Sequence, residues 1–282
     1  EQSADEAEEG ASGVEEAEAA DEKASEPETA PELEAVGSTD DTNEPGGFRS
    51  ATEIALRELP FEPCRQVHKT ADKDQLIRSF EHVYEDGKLM SKLNLTADDT
   101  VRAAWSYEYD DEGQRIRAMR DDTPDGREMK EPDLIISYEW NDGKLTNSAW
   151  AFAKEPEKTW RNSFEYNDDG QLVRVVSEGF PADPPRDDNK PRVWTHEYDE
   201  KGYLMRRTRR PKDGESPTRY TEFTYKNGKL AQQTHRAALQ GEWKMQYDAN
   251  FSYDGDRLAA QTLEWGHANF GTEAVTYEYE CE

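Results

Sequence analysis

The sequence predicts an all-β protein, an antiparallel meander of about seven or eight β-hairpin repeats, or roughly 14 to 16 strands, curled or folded over its aromatic face. Three observations predict this fold. A short unit recurs along the chain, aromatic residues alternate within each copy, and each copy contains a turn signal followed by Leu or Ile. A short N-terminal helix and a disordered acidic tail precede the repeats in this prediction.

The repeated unit is clearest at residues 164–172. Phe164 and Tyr166 lie two residues apart, so their rings share one face of a strand. Gly170 supplies the positive φ of a tight turn, and Leu172 begins the return strand. Aligned on this glycine, the copies are spaced 26, 30, 27, 32, 26 and 27 residues apart, which is typical of a repeat array. The turn glycines are Gly87, Gly113, Gly143, Gly170, Gly202, Gly228 and Gly255.

The alternation also predicts a charged face opposite the rings. Glutamates occupy the positions between the aromatic residues, and a basic residue follows most turns. We expect cross-strand ion pairs there, each contributing about 1 kcal/mol or less. The acidic members are Glu108, Glu139, Glu165, Glu197 and Glu278, and the basic ones are Lys88, Arg115, Lys144, Arg174, Lys229 and Arg257. The pattern leaves open whether the sheet is flat, closed into a barrel or folded as a sandwich.

Composition and pattern divide the chain into three segments. Residues 1–47 hold 17 acidic groups, one basic group and no aromatic residue, so we expect a disordered tail or linker. Residues 48–75 begin with a short helix candidate, in which Ser50 and Glu53 fit a capping box and Pro60 ends the run, and continue as a connector. Residues 76–282 form the repeat domain.

Charge and processing signals bound the function. The net charge of −28, without an evident basic patch, argues against nucleic acid and anionic membranes as partners. No stretch has the apolar length of a transmembrane helix. The chain starts at Glu1 rather than Met, which suggests that a signal peptide has been removed. The acidic lead-in is similar to the tether that follows the lipidated cysteine of bacterial lipoproteins.

The two cysteines flank the repeats, one before the first hairpin and one near the end of the chain. We expect Cys64 and Cys281 to form a disulfide, which favours an oxidising, extracytoplasmic compartment. Two unrelated thiols, or metal ligation with distant histidines, are the alternatives.

The unit also resembles a known family. The pattern Tyr-x-Tyr-Asp-x-x-Gly-x-Leu, seen at residues 107–116 and, with His196 first, at 196–204, resembles the YD repeat of bacterial Rhs proteins and animal teneurins. In that family the repeats are hairpins of long extracytoplasmic β-sheets that can spiral into a hollow shell. The resemblance covers about residues 76–280 and implies an Rhs-like repeat protein of the bacterial cell surface.

The candidate chemistry is sparse. His82 and His196 stand where other copies carry Tyr or Phe, which indicates substitutes for core rings rather than ligands. No His-x-x-x-His, Cys-x-x-Cys or Gly-x-Ser-x-Gly motif occurs. The acidic turns lack the spacing that gathers oxygen ligands around calcium. We therefore expect no catalytic residue, no bound metal and no cofactor.

One pair of rings departs from the alternation. Trp150 has the opposite parity to Leu145 on its strand, so Trp150 and Phe152 are predicted to lie on the other face as a contact patch. The loop from Gly179 to Pro191 is the longest and richest in proline, and it is either a recognition loop or a solvated spacer.

These observations favour an exported, non-enzymatic scaffold or binding module in the periplasm, on the cell surface or secreted, with a tethered lipoprotein as one form of it. Its expected partner is a protein or glycan of the cell envelope. One alternative is a carrier or shell that holds an apolar ligand against its aromatic concave face. Another, with less support, is an enzyme acting on polysaccharide.

Overall fold

All regular elements of the described chain are β-strands. The computed structural model describes residues 63–122, 124, 126–179, 191–214, 216–239, 241–266 and 271–281, and no helix occurs within these ranges. The helix candidate at residues 48–60 and the acidic tail lie outside them. The strands are β1 Arg65–Thr70, β2 Leu76–Glu85, β3 Lys88–Thr96, β4 Val101–Tyr109, β5 Arg115–Asp121, β6 Leu134–Asn141, β7 Lys144–Phe152, β8 Glu155–Tyr166, β9 Leu172–Glu178, β10 Arg192–Tyr198, β11 Leu204–Pro211, β12 Arg219–Lys226, β13 Lys229–Leu239, β14 Glu242–Asp254, β15 Arg257–Trp265 and β16 Thr272–Glu278.

The sixteen strands form one closed antiparallel barrel. Each strand pairs with its neighbours in sequence, and β1 pairs with β16, for example through Val67 opposite Thr276. The predicted meander curled or folded over its aromatic face is therefore wrong, because this sheet has no free edge to fold. Closure satisfies the backbone groups that an edge strand would leave exposed.

The closing strand was the part of the barrel that periodicity missed. β1 lies within residues 61–75, which were predicted as a connector, and it carries no copy of the repeated unit. It pairs with β2 on one side and with β16 on the other. One strand outside the repeat pattern thus joins the first repeat to the last half repeat.

Each of the seven hairpins that carry the repeated unit has one β-bulge next to its turn. In the hairpin of β8 and β9, Glu165 lies opposite Arg174 and Tyr166 lies opposite Leu172, so Val173 is the extra residue. An extra residue changes the parity of the strand, and it also increases the local twist. The equivalent extra residues are Met90, Ile116, Thr146, Val173, Met205, Ala231 and Ala259.

The bulge brings the ring and the aliphatic residue of each unit to the same face. Phe164 lies opposite Val175, and both are buried, as is Leu172. Glu165, between the rings, is exposed. Since opposite residues of antiparallel strands share a face, the aromatic face is the inside of the barrel and the glutamates face outward.

The turns lie at one end of the barrel, which we call the turn end. All seven predicted turn glycines have positive φ, and Asp86 with Gly87, at φ of 51° and 76°, form a two-residue turn. The opposite end, which we call the connection end, is where β5, β9 and β11 end and where β6, β10 and β12 begin.

A belt of hydrogen bonds joins successive hairpins at the turn end. The Tyr166 hydroxyl donates to the Leu145 carbonyl of the preceding hairpin at 2.9 Å. Burial raises the pKa of Tyr166 to about 12, so this hydroxyl keeps its proton at neutral pH. The donor and acceptor pairs are Tyr109 to Leu89, Trp140 to Arg115, Tyr166 to Leu145, Tyr198 to Leu172, Tyr225 to Leu204, Tyr253 to Leu230 and Tyr279 to Leu258.

Most of the basic residues after the turns do not form the ion pairs that the sequence predicted. Lys144 does not face Glu139; its Nζ lies 5.5 Å from the centre of the Tyr166 ring in the next hairpin. The register is the reason, because Lys144 lies opposite Asn141 beside the turn, whereas Glu139 lies opposite Asn147. Lys88, Lys229 and Arg257 lie in the same way over Tyr109, Tyr253 and Tyr279 of the next unit, and Arg115 lies over Tyr109 of its own hairpin. Ion pairs do occur outside, between Glu165 and Arg174 as predicted and between Glu108 and Arg117.

The predicted disulfide is confirmed. Cys64 and Cys281 are bonded, with their Cα atoms 6.0 Å apart and a sequence separation of 217 residues. Cys64 precedes β1 and its carbonyl accepts a hydrogen bond from the His82 amide, so the bond lies at the turn end beside the β1–β16 seam.

Candidate binding surface inside the barrel

Four arginines converge on the inner face of β10, β11 and β12 near the connection end. We call Arg192, Arg207, Arg209 and Arg219 the arginine cluster. Arg209 lies directly opposite Arg219 on β12 and opposite Trp194 on β10. Arg207 lies opposite Thr221 and His196, both of which are buried. The register therefore places all four side chains on the face that carries the buried rings.

Two buried indoles lie beneath these guanidinium groups. The Cζ atoms of Arg207 and Arg209 lie 5.1 and 5.8 Å from the centre of the Trp194 ring, and that of Arg192 lies 4.9 Å from Trp160. Both indoles are about 2% exposed. An aromatic face attracts a cation electrostatically, so the rings hold the guanidinium groups against the barrel wall.

Polar side chains continue the inner face beyond β12. His235 hydrogen-bonds with Thr221 at 3.0 Å, and Gln233 donates to the Tyr247 hydroxyl at 2.8 Å. Gln261 on β15 accepts from the Tyr277 hydroxyl at 3.0 Å. These hydrogen-bonding groups lie beside buried apolar residues of the same part of the wall, such as Phe223, Leu230 and Leu263.

The apolar arc runs along the inner face of β4 to β10. Its buried members pack side by side across neighbouring strands, and half-buried rings border them. Trp150 stacks on Trp160, with their ring centres 5.9 Å apart. The half-buried rings are Trp105, Tyr109, Trp140 and Tyr166. The inner wall therefore combines an aromatic surface with the arginine cluster.

The face predicted for the Trp150 and Phe152 patch is wrong. Trp150 is 4% exposed and points inward, because the bulge at Thr146 lies between it and Leu145 and reverses the parity that the prediction assumed. Phe152 is 39% exposed, and its ring packs edge-on against the Trp150 ring, with the two ring centres 5.4 Å apart. The contact role of this pair stays a prediction and now concerns the inner face.

Of the two histidines in ring positions, His196 is buried and His82 is half-buried, and both are neutral at physiological pH. Burial, aided by the charge of Arg207, lowers the pKa of His196 to about 3. Burial and the charge of Lys92 do the same for His82. Each pairs in the register with the basic residue concerned, on the inner face.

A third histidine belongs to an ionic group at the seam. His68 Nδ1 lies 3.3 Å from the Glu273 carboxylate, which also lies 3.8 Å from Arg78. Hydrogen bonding from His68 and the Arg78 charge outweigh burial and hold the pKa of Glu273 below its usual range. Within the described chain, no group of three or more His, Cys, Asp or Glu side chains is placed to hold a metal ion.

Sequence reasoning missed the arginine cluster. Its signal was the run Arg206, Arg207, Arg209 and Arg210 in β11, a strand without an acidic residue in an acidic chain. The other two members, Arg192 and Arg219, lie on neighbouring strands and join the run only once the hairpin register is known.

Comparison with known proteins gives only distant likenesses. No protein-family model matches the chain, and no curated protein matches it. The chain is similar to a crystal structure of a porin-like protein from Bacteroides uniformis, with 15% identity, a TM-score of 0.49 and coverage of 79% of this chain and 98% of that one. It is also similar to a crystal structure of a porin-like protein from Bacteroides vulgatus, with 9% identity, a TM-score of 0.39 and coverage of 78% of this chain and 99% of that one.

A third likeness is to part of a larger protein, the TcdB2-TccC3 crystal structure, with 11% identity, a TM-score of 0.30, and coverage of 76% of this chain and 14% of that one. At these identities and TM-scores the likenesses carry no argument about function. A repeat-type β fold is established by the strands themselves, and YD-repeat membership stays a prediction. Within the described ranges, no helix is long and apolar enough to cross a bilayer.

Proposed function

We propose that this chain is an exported, non-enzymatic β-barrel of the cell envelope that works as a binding module and receives its ligand on the inner face. The observation that carries the proposal is the accessible chemistry of that face. Rings such as Trp105 and guanidinium groups such as those of Arg207 and Arg209 are only partly buried there. Groups used solely for packing would be fully buried, as Trp160 and Trp194 are.

The disulfide supports the extracytoplasmic placement. A bond between Cys64 and Cys281 persists in oxidising compartments and is rare in reducing ones. The resemblance of the hairpin units to YD repeats points the same way. In this proposal the acidic segment 1–47 is a tether or linker.

The earlier alternative, a carrier of an apolar ligand, concerns the same face. The apolar arc of β4 to β10 favours a flat apolar group in the ligand, because half-buried rings present both ring faces and edges to it. A ligand that spans this arc and the polar groups beyond it would be amphipathic.

Titration of the full oxidised chain with the neutral fluorophore N-phenyl-1-naphthylamine tests the proposal. We expect saturable fluorescence enhancement that Trp105→Leu weakens, because Trp105 lies on the inner face beside Tyr107. Trp243→Leu is the matched control, since Trp243 is 42% exposed and its register places it outside. A response that does not saturate, or that depends on Trp243 instead, would overturn the proposal.

A further inference from the structure

We infer that Lys92, on the inner face of β3, binds the negative group of an apolar ligand that carries a single negative charge. The inference deepens the proposed function and rests on it in one respect, that a ligand reaches the inner face. The register places the side chain, since Lys92 lies opposite His82 on β2 and opposite Trp105 on β4. Because Trp105 is one of the half-buried rings that border the apolar arc, the Lys92 side chain lies where that arc begins.

The Lys92 ammonium group is held by a ring and not by a carboxylate. Its Nζ lies 4.3 Å from the centre of the Phe80 ring, which is buried. Among the residues that the structure describes, no Asp or Glu forms an ion pair with it. A ring attracts a cation without neutralising it, and the side chain is only half-buried, so its charge stays available to a ligand.

The acidic residues of the strands around Lys92 lie on the outer face or beside a turn. β3 itself contains none. Glu81 and Glu108 alternate with residues of the inner face, and both form ion pairs with arginines. Glu85 is exposed beside the turn. The inner face of β2, β3 and β4 therefore carries no carboxylate that could neutralise the ammonium group.

The neighbouring basic groups are already paired, which sets the charge of the ligand at one. The Arg120 guanidinium lies 2.5 Å from the Asp122 carboxylate, and that of Arg78 lies 3.8 Å from Glu273. His82 is neutral at physiological pH, because burial and the nearby ammonium group lower its pKa to about 3. One ammonium group compensates one negative charge, and a second charge on the ligand would lose its hydration without gaining a partner.

The surroundings of the ammonium group define the rest of the ligand. Trp105 is half-buried and lies parallel to Tyr107, with the ring centres 6.3 Å apart, and the apolar arc continues beyond them. An apolar body packs against these rings while its negative group meets the Nζ of Lys92. An ammonium group is a compact charge with three donors, so it accepts oxygens of a carboxylate, sulfonate or phosphate ester alike. The ligand class is therefore an amphipathic monoanion.

Fluorescence titration of the full oxidised chain with two probes that differ in one group tests the inference. 1-Anilinonaphthalene-8-sulfonate has the ring skeleton of N-phenyl-1-naphthylamine and adds one sulfonate. We expect Lys92→Met to weaken binding of the sulfonate about tenfold or more and to change binding of the neutral amine by less than about twofold. Unchanged binding of the amine also shows that the variant is folded.

Two further variants separate charge from structure. Lys92→Arg keeps the positive charge, so it should keep most of the affinity for the sulfonate. Lys226→Met is the matched control, because Lys226 is exposed beside a turn, and it should bind both probes as the wild type does.

A sulfonate affinity that Lys92→Met does not change would overturn the inference, as would an equal weakening of both probes or a loss in Lys92→Arg as large as that in Lys92→Met. If the neutral amine still binds saturably and depends on Trp105 in that case, only the role of Lys92 has failed. If the amine does not bind saturably to the wild type, the proposed function has failed as well.

Discussion

The two ends of the barrel differ in how regular their structure is. At the turn end, the same glycine, bulge and hydrogen bond from ring to carbonyl recur in successive hairpins. At the connection end, the number of residues between consecutive strands varies. Two residues separate β7 from β8, and thirteen separate β9 from β10. The arginine cluster lies near this second end, and Arg120 of β5 lies over Trp105 near the same end.

The repeated interactions stabilise the turn end. They join each hairpin to the next, so each of them contributes to holding the barrel closed. Substitutions that remove one of these interactions should therefore lower stability, whereas substitutions of exposed residues on the outer face should not.

The largest effect is expected at the seam. Cys64→Ser/Cys281→Ser removes a link between residues 217 apart, and loop entropy predicts a loss of about 5 kcal/mol in the free energy of unfolding. Urea unfolding of the variant, with the reduced wild type as control, measures this loss. A change below about 1 kcal/mol would mean that the paired β1 and β16 strands hold the seam unaided.

Acid should destabilise the barrel through its two neutral histidines. His82 and His196 have a pKa of about 3 in the folded chain and of about 6.5 when exposed. Between these values the unfolded chain binds more protons, so stability is greatest above the exposed value and falls as the pH drops. Each histidine contributes a slope of up to about 1.4 kcal/mol per pH unit.

The variants His82→Phe and His196→Phe sharpen this test, because the other hairpins carry aromatic residues in these positions. Each should flatten the dependence of the urea midpoint on pH between about pH 4 and pH 6. An unchanged slope in both variants would show that other groups are responsible, with Glu273 and His68 at the seam as the next candidates.

A smaller effect is expected in the belt of hydrogen bonds. Tyr166→Phe removes the bond to the Leu145 carbonyl and should cost about 1 kcal/mol of unfolding free energy. Tyr220→Phe is the matched control, because the register places Tyr220 on the outer face beside Arg206 and away from the belt. An equal loss of unfolding free energy in both variants would show that the belt does not contribute more to stability than other tyrosine hydroxyls.

The sequence predicted what each repeat contains. Phe164, Tyr166 and Gly170 together indicated a hairpin, and its ring face proved to be the buried one. Local periodicity could not reveal closure, because β1 carries no repeat and its pairing with β16 joins the two ends of the described chain. Hydrogen bonding between distant strands leaves no mark in the local pattern.

Side-chain placement failed wherever a bulge intervened. Trp150 was assigned to the outer face by counting along the return strand from Leu145, and one unpaired residue, Thr146, shows why simple counting fails there. The arginine cluster depends on the same register, since Arg209 and Arg219 meet only across the hydrogen-bonded pair of β11 and β12. The composition of the site was visible in the sequence, and its convergence was not.

The most direct measurement follows the indole N–H signals of the seven tryptophans in a nitrogen-15 labelled chain during titration with N-phenyl-1-naphthylamine. The Trp105 ring borders the apolar arc on the inner face, so its signal should shift and saturate. Trp243, which lies outside the barrel, should stay in place. Shifts confined to Trp243, or the absence of any shift, would contradict the account.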